Sequence, residues 1–319
     1  MLGSSVARRV RRPDSSLLTV IVAFCANLLI AVAKSVAAAL TGSASMLAEA
    51  AHSWADTGNE VFLLFADRRS DRSRDAAHPL GYGREAYVWS MFAAFGLFTA
   101  GAVVSISHGI SELRHPEPAT DFVVAYVVLA IAFVLEGISF IQASREARAG
   151  ARNLGRHTLA HLWQTSNPTV RAVFAEDAAA LIGLVIAFAG IGLHQLTGSA
   201  VPDAIGSLLV GLLLAVVAVV LIERNARFLI GQAVSPSIRG QVLQSLLERS
   251  EIDRITYLHL EFVGPSRMYL VAAVDLAGDQ AEHHVAVQLR RIERDLEENQ
   301  DIEEAVLTLA TPDEAALTA

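Results

Sequence analysis

Ser45-Met-Leu-Ala-Glu49-Ala-Ala-His52-Ser-Trp-Ala-Asp56-Thr-Gly-Asn59-Glu60 lies inside an apolar run over 44–66, yet it carries four ionisable groups and an asparagine. Glu49, His52, Asp56 and then Asn59 or Glu60 recur at intervals of three and four, which lines them along one face of a helix. A run of this length can cross a bilayer, which takes about 20 residues. An ionisable side chain in hydrocarbon costs about 2.5–3.5 kcal/mol on insertion scales, so the stripe must face protein, water or an ion. Two readings stay open. The stripe is either a polar seam between helices, with its carboxylates protonated, or the lining of an ion site. His and Asp at i and i+4 can grip one ion from adjacent turns, and neutral imidazole plus carboxylate is a donor set suited to Zn²⁺.

Outward from this stretch the chain stays apolar. Its 319 residues are 53% hydrophobic and only 18% charged, and mean hydropathy is positive. That excludes an ordinary soluble protein. Apolar runs fall at 17–40, 44–66, 86–110, 122–143, 172–196 and 204–222, and from 235 onward charges return at normal density. The expectation is a transport domain of six membrane-spanning helices over 16–230, a short basic N-terminus over 1–15, and a soluble domain over 235–319. A signal peptide is the competing reading of the N-terminus, since Arg8, Arg9, Arg11 and Arg12 precede an apolar stretch. The run at 17–40 is longer than a signal-peptide core, however, and further spans follow it.

Arginines set the orientation, because cytoplasmic loops retain positive charge. One set of loops holds Arg8, Arg9, Arg11 and Arg12, then Arg68, Arg69, Arg72, Arg74 and Arg84, then Arg145, Arg148, Arg152, Arg156 and Arg171; the opposite set offers Arg114. Both termini are expected in the cytoplasm. Arginine-rich usage with a single lysine suggests a bacterial chain, and hence the cell (inner) membrane. The net charge of −8 comes largely from the C-terminal part, and no nucleic-acid footprint is present. The one cysteine, Cys25, can form neither an intrachain disulfide nor a thiolate cluster, so a metal site must use His and carboxylates. Nothing resembles an ATP site.

Further buried charges are expected in three other spans. Glu176 and Asp177 open the run at 172–196 and point about 100° apart on a helix, so one can join an ion while the other faces a different neighbour. Glu136 lies in the fourth span and Lys34 in the first, and an ion pair between Lys34 and a carboxylate is the structural reading of either. In the tail, 237–250 reads as a helix. Residues 255–262 alternate, with Leu258, Leu260 and Phe262 on one face. A Gly264-Pro265-Ser266 turn leads to a second alternating strand over 268–275. A helix follows, with Val285, Leu289, Ile292 and Leu296 at helical spacing, and 305–309 is a short strand. The order αββαβ suits a small sheet covered by two helices on one face. At about 85 residues its core is modest, which favours packing against a second copy.

At these residues the sequence resembles the cation diffusion facilitator family. The resemblance rests on His52-Ser-Trp-Ala-Asp56 after Gly42-Ser-Ala-Ser-Met-Leu-Ala-Glu49, on His78-Pro-Leu-Gly-Tyr-Gly-Arg84-Glu85 before the third span, and on the Glu176-Asp177 pair. Within the family it is similar to the branch containing the mitochondrial zinc transporter, which shares that pair. The resemblance implies an all-α six-helix transmembrane bundle with a small cytoplasmic α/β domain of ferredoxin-like αββαβ order. It implies secondary transport of divalent transition-metal ions, Zn²⁺ first, out of the cytoplasm in exchange for protons. The partners are then the metal ion, the proton, the bilayer and a second copy in a homodimer, with no cofactor and no enzymatic activity.

The resemblance makes His52, Asp56 and Asp177 the primary metal ligands, with Glu176 and Glu49 beside them as supporting or proton-carrying groups. Val173 stands where many members have a histidine, which leaves a water, Glu176, Asn59 or Glu49 as fourth ligand. Asp75 and His78 match part of a loop site whose last histidine is replaced by Tyr82; loop capping is the competing role for them. The tail's binuclear site is largely missing, its positions held by Thr256, Ala272, Leu309 and Thr311, and His283 and His284 read as a solvated face. Two other function classes remain: a membrane-anchored regulatory or scaffold protein without transport, and a proton-coupled carrier of small organic solutes. The second would need a roomier, aromatic-lined cavity, and the stripe offers only Trp54.

Overall fold

The computed structural model describes residues 17–116, 120–153, 157–278 and 280–318. The basic N-terminus expected over 1–15 and the orienting Arg8, Arg9, Arg11, Arg12 and Arg156 lie outside the described residues. The elements are α1 (Leu17–Thr41), α2 (Ala44–Ser70), α3 (Glu85–Ala93), a π-helical turn (Ala94–Phe98), α4 (Thr99–Arg114), α5 (Phe122–Asn153), α6 (Thr158–Gln164), α7 (Pro168–Thr197) and α8 (Val201–Ile230). The tail follows as α9 (Pro236–Leu247), β1 (Ile252–Gly264), β2 (Arg267–Leu276), α10 (Glu282–Glu297) and β3 (Ile302–Leu309). This is a helical membrane bundle with a small α/β tail.

Among the described residues, five helical stretches are both long and apolar enough to cross a membrane: Phe24–Thr41, Glu85–Arg114, Phe122–Arg152, Pro168–Thr197 and Val201–Ile230. The sixth expected span, α2, forms a 27-residue helix, about 40 Å at 1.5 Å per residue. Its length suffices for crossing, but the polar stripe keeps it out of the apolar class.

The chain divides into two compact units. The first takes the residues up to Val61, Phe95–Ile141 and Glu176–Ala218. Its core joins Ile30, Ala37, Met46, Leu129, Leu184 and Ile191. The turn between α1 and α2 needs a left-handed residue, supplied by Gly42 at φ +65°. The start of α2 is then capped from far away in sequence: the Asp203 carboxylate accepts from the backbone N–H of Ala44 (2.8 Å) and Ser45 (3.2 Å) and from Ser43 Oγ (3.0 Å). Ser45 Oγ donates back to the Asp203 carbonyl at 2.8 Å. An acid placed on the orphan donors of a helix start satisfies both their hydrogen bonding and the helix dipole. Small residues let α2 approach the third span. A Cβ on Gly58 would meet Leu97 Cδ1 at 2.8 Å, and one on Gly101 would meet the Ala51 carbonyl at 3.5 Å. By contrast α5 exposes Val123, Val127, Ile131 and Val134, a surface suited to lipid.

The second unit holds Phe62–Ala94, Gln142–Ala175 and Val219 onward. In the tail β1 pairs antiparallel with β2, and β2 pairs parallel with β3, in spatial order β1-β2-β3. The expected inward sets, Leu258, Leu260 and Phe262, and Met268, Leu270, Ala272 and Val274, are all buried. They share one core with Leu243 and Leu246 of α9 and Ile292 of α10, so both helices cover the same face. Tyr87 and Phe228 join that core. The tip of the β1–β2 hairpin packs on the loop before α3, where a Cβ on Gly83 would stand 2.7 Å from Gly264 Cα; two glycines let the backbones meet. The same loop is tied to the tail by Arg84 with Glu261, Arg74 with Glu297 (3.3 Å) and Arg267 with Asp71 (3.4 Å).

Candidate functional site

The helical register of α2 places the stripe as expected, and the first unit buries it. Glu49, His52 and Asn59 are each no more than 1% exposed, and Glu176 and Asp177 on α7 are buried as well. Asp56 and Glu60 are partly buried. His52 Nε2 lies 3.5 Å from Asp56 Oδ2, so the i, i+4 pair is brought together as one bite. Both ring nitrogens of His52 and Oδ1 of Asp56 are buried and make no hydrogen bond within the protein. Asp56 is within electrostatic reach of Glu136, Glu176, Lys34 and Asp177. Buried polar atoms are normally hydrogen-bonded, and each orphan needs an explanation.

The acids of α7 are near but engaged elsewhere. Asn59 Nδ2 donates to Glu176 Oε1 at 2.6 Å, and Ser139 Oγ on α5 donates to Asp177 Oδ2 at 2.8 Å. Among the described residues no three His, Cys, Asp or Glu side chains are closed around one point. The structure thus brings together two of the five expected site residues, His52 and Asp56, and holds Asp177 on a hydroxyl donor and Glu176 on an amide donor. Glu49 takes a different partner: Lys34 Nζ stands 2.9 Å from its Oε2 and 4.0 Å from Glu136 Oε1. Glu60 Oε1 accepts from Asn27 Nδ2 at 2.5 Å. Ser139 and Asn27 escaped the sequence reading; the one signal for Ser139 was its place three residues after Glu136 on the same helix.

In the loop between α2 and α3, Asp75 Oδ1 accepts from the N–H groups of Ala77 (3.0 Å) and His78 (2.9 Å), and Oδ2 accepts from the Tyr82 hydroxyl at 2.7 Å. These bonds hold its carboxyl below the usual aspartate range, the Tyr82 hydroxyl contributing most. His78 Nδ1 lies 3.6 Å from Asp75 Oδ1, and both side chains are about half exposed. This is the geometry of a capped turn. In the tail, Thr256 and Thr311 bond Glu314, while His283 and His284 lie exposed at the start of α10 with ring centroids 4.0 Å apart.

Residues 20–230 match the cation efflux transmembrane domain. The chain is 39% identical over 260 residues to the mitochondrial proton-coupled zinc antiporter SLC30A9 of Xenopus laevis, covering 81% of this chain and 46% of that protein. It is 36% identical over 233 residues to metal tolerance protein C4 of Arabidopsis thaliana, covering 73% and 51%. Magnetosome protein MamB of a Magnetospira strain is 25% identical over 184 residues, covering 57% and 56%. The chain spans about half the length of these curated relatives. It belongs to the cation diffusion facilitators, the cation efflux family of membrane transporters, near the branch of the mitochondrial zinc antiporters.

Proposed function

We propose that the chain carries a divalent transition-metal ion, Zn²⁺ foremost, out of the cytoplasm in exchange for protons. The observation behind this reading is the set of buried, unpartnered donor atoms on α2: both nitrogens of His52 and Oδ1 of Asp56. A polar seam would satisfy such atoms with neighbouring donors; here they make no hydrogen bond. In the proposed loaded state Asp177 leaves Ser139 and joins His52 and Asp56 on the ion. Glu176, released from Asn59, or a water supplies the fourth donor, which completes the tetrahedral set Zn²⁺ favours. Glu49 borders the set. No cofactor takes part.

Proton exchange follows from the ligand chemistry. Imidazole must be neutral and carboxylates ionised to hold a metal, so protons and the ion compete for the same atoms. Protons arriving from the outer side displace the ion outward. The names of the relatives, proton-coupled zinc antiporters, support the same cargo and coupling. Orientation is supported by the arginines: Arg68, Arg69, Arg145, Arg148, Arg152, Arg171, Arg224 and Arg227 all belong to the unit that includes the tail. In this reading the tail and both termini face the cytoplasm, and the membrane is the inner membrane of a cell. The tail then serves as a platform for a homodimer.

Zn²⁺ flux into proteoliposomes under an imposed pH gradient tests the assignment. Asp56→Ala and Asp177→Ala each lose at least about tenfold in flux, the scale of losing even an outer partner of a metal ligand, while elution as a folded protein is retained. Full flux in either folded variant contradicts the reading.

A further inference from the structure

Lys34 is the only lysine in a chain that uses arginine at every other basic position. It is 1% exposed, and it sits in α1 inside Phe24–Thr41, a stretch long and apolar enough to cross a membrane. Its ammonium lies 2.9 Å from Glu49 Oε2 and 4.0 Å from Glu136 Oε1, so it occupies the place between two carboxylates, one from α2 and one from α5. A dication bridging Glu49 and Glu136 would have to stand at that same place. Lysine suits the role better than arginine, being a compact point charge on a flexible stem that reaches either carboxylate, whereas a guanidinium is a planar fork.

The other oxygen of the Glu49 carboxylate is the second observation. Glu49 Oε1 is fully buried and makes no hydrogen bond. It projects at Gly183 of α7, where an added Cβ would collide with it and stand 3.6 Å from His52 Nδ1. Glu49 is therefore one helical turn from His52 and adjacent to it in space, with a free oxygen. Left uncompensated, it would be available to a metal ion.

We propose that Lys34 is a tethered cation that fills the Glu49 and Glu136 carboxylates, keeping them out of the cargo set so that each protomer loads one dication instead of two. The inference rests on the proposed transport site at His52, Asp56 and Asp177, and it makes Lys34 a positioning and stoichiometry-setting residue. With the ammonium removed, the two carboxylates form a second acidic pocket beside the first, and a second ion enters.

Equilibrium Zn²⁺ binding to the full chain in detergent reads this out. The wild type binds one Zn²⁺ per protomer, Lys34→Met binds two, and Lys34→Arg, which keeps the charge, returns to one. A folded Lys34→Met that keeps one Zn²⁺ overturns the proposal. A wild type that binds none, or whose binding survives Asp56→Ala, contradicts the cargo site itself and so is distinguishable. Removing one member of a buried ion pair can unfold a protein, so a second measurement uses the unaltered chain. With ¹⁵N-labelled lysine, Lys34 gives the one side-chain amine resonance, and it keeps its position when Zn²⁺ saturates the protein. A resonance that moves to the solvent-exposed position on Zn²⁺ addition means Glu49 has left Lys34 for the metal, and the proposal fails.

Discussion

Asp75 shows how one side chain outside the membrane is tuned by its partners. Three hydrogen bonds favour its charged form, the Tyr82 hydroxyl most and the His78 N–H next, so its carboxyl titrates below the ordinary 3.8 of an aspartate. A depressed acid stabilises the fold fully above its unfolded value and loses that contribution as pH falls through its folded value. The loop is thus insensitive between neutral pH and about pH 5, and loosens only in stronger acid. An NMR titration of the Asp75 carboxyl carbon gives a midpoint below 3.8, and Tyr82→Phe raises it. A wild-type midpoint at or above that value contradicts the capping geometry. Within the first unit, Ser139 and Asn59 donate hydrogen bonds to Asp177 and Glu176 respectively.

At the scale of elements, α2 is positioned by α8. Asp203 accepts three hydrogen bonds from the start of α2 and is 2% exposed. Asp203→Ala leaves the buried N–H groups of Ala44 and Ser45 without an acceptor, at about 1–3 kcal/mol. Thermal unfolding of the detergent-solubilised chain checks this: the midpoint falls by several degrees, whereas an unchanged midpoint means the cap is dispensable. None of this was legible in the sequence. Asp203 reads there as an ordinary acid in the first turn of its own helix, and its partners lie about 160 residues away.

What sequence does reveal is periodicity. The tail's strands and helices were readable because Leu258, Leu260 and Phe262, and Val285, Leu289, Ile292 and Leu296, repeat at strand and helix spacing. The stripe was readable for the same reason. Pairings between helices were not, because nothing in the local pattern of α5 or α7 says that Ser139 meets Asp177. The π-helical turn at Ala94–Phe98 also left no trace, since its residues are as apolar as the helix around it. The candidate site was therefore half visible: the ligand types and the α2 face could be read, but the partners that hold the α7 acids and Glu49 could not.

On the scale of the molecule, four long helices, α2, α5, α7 and α8, are shared between the two units. Along each, the acidic site residues or apolar stretches fall in the first unit and the arginine-bearing end in the second. The account stands on a dication visiting His52 and Asp56. A structure of the Zn²⁺-loaded chain, with anomalous scattering recorded at the zinc edge, tests that claim most directly. The account predicts one peak per chain bonded to His52 and Asp56, with Asp177 rotated off Ser139 onto the metal. No peak at His52 in a Zn²⁺-saturated crystal, or a peak held by Glu49 and Glu136 in its place, would contradict it.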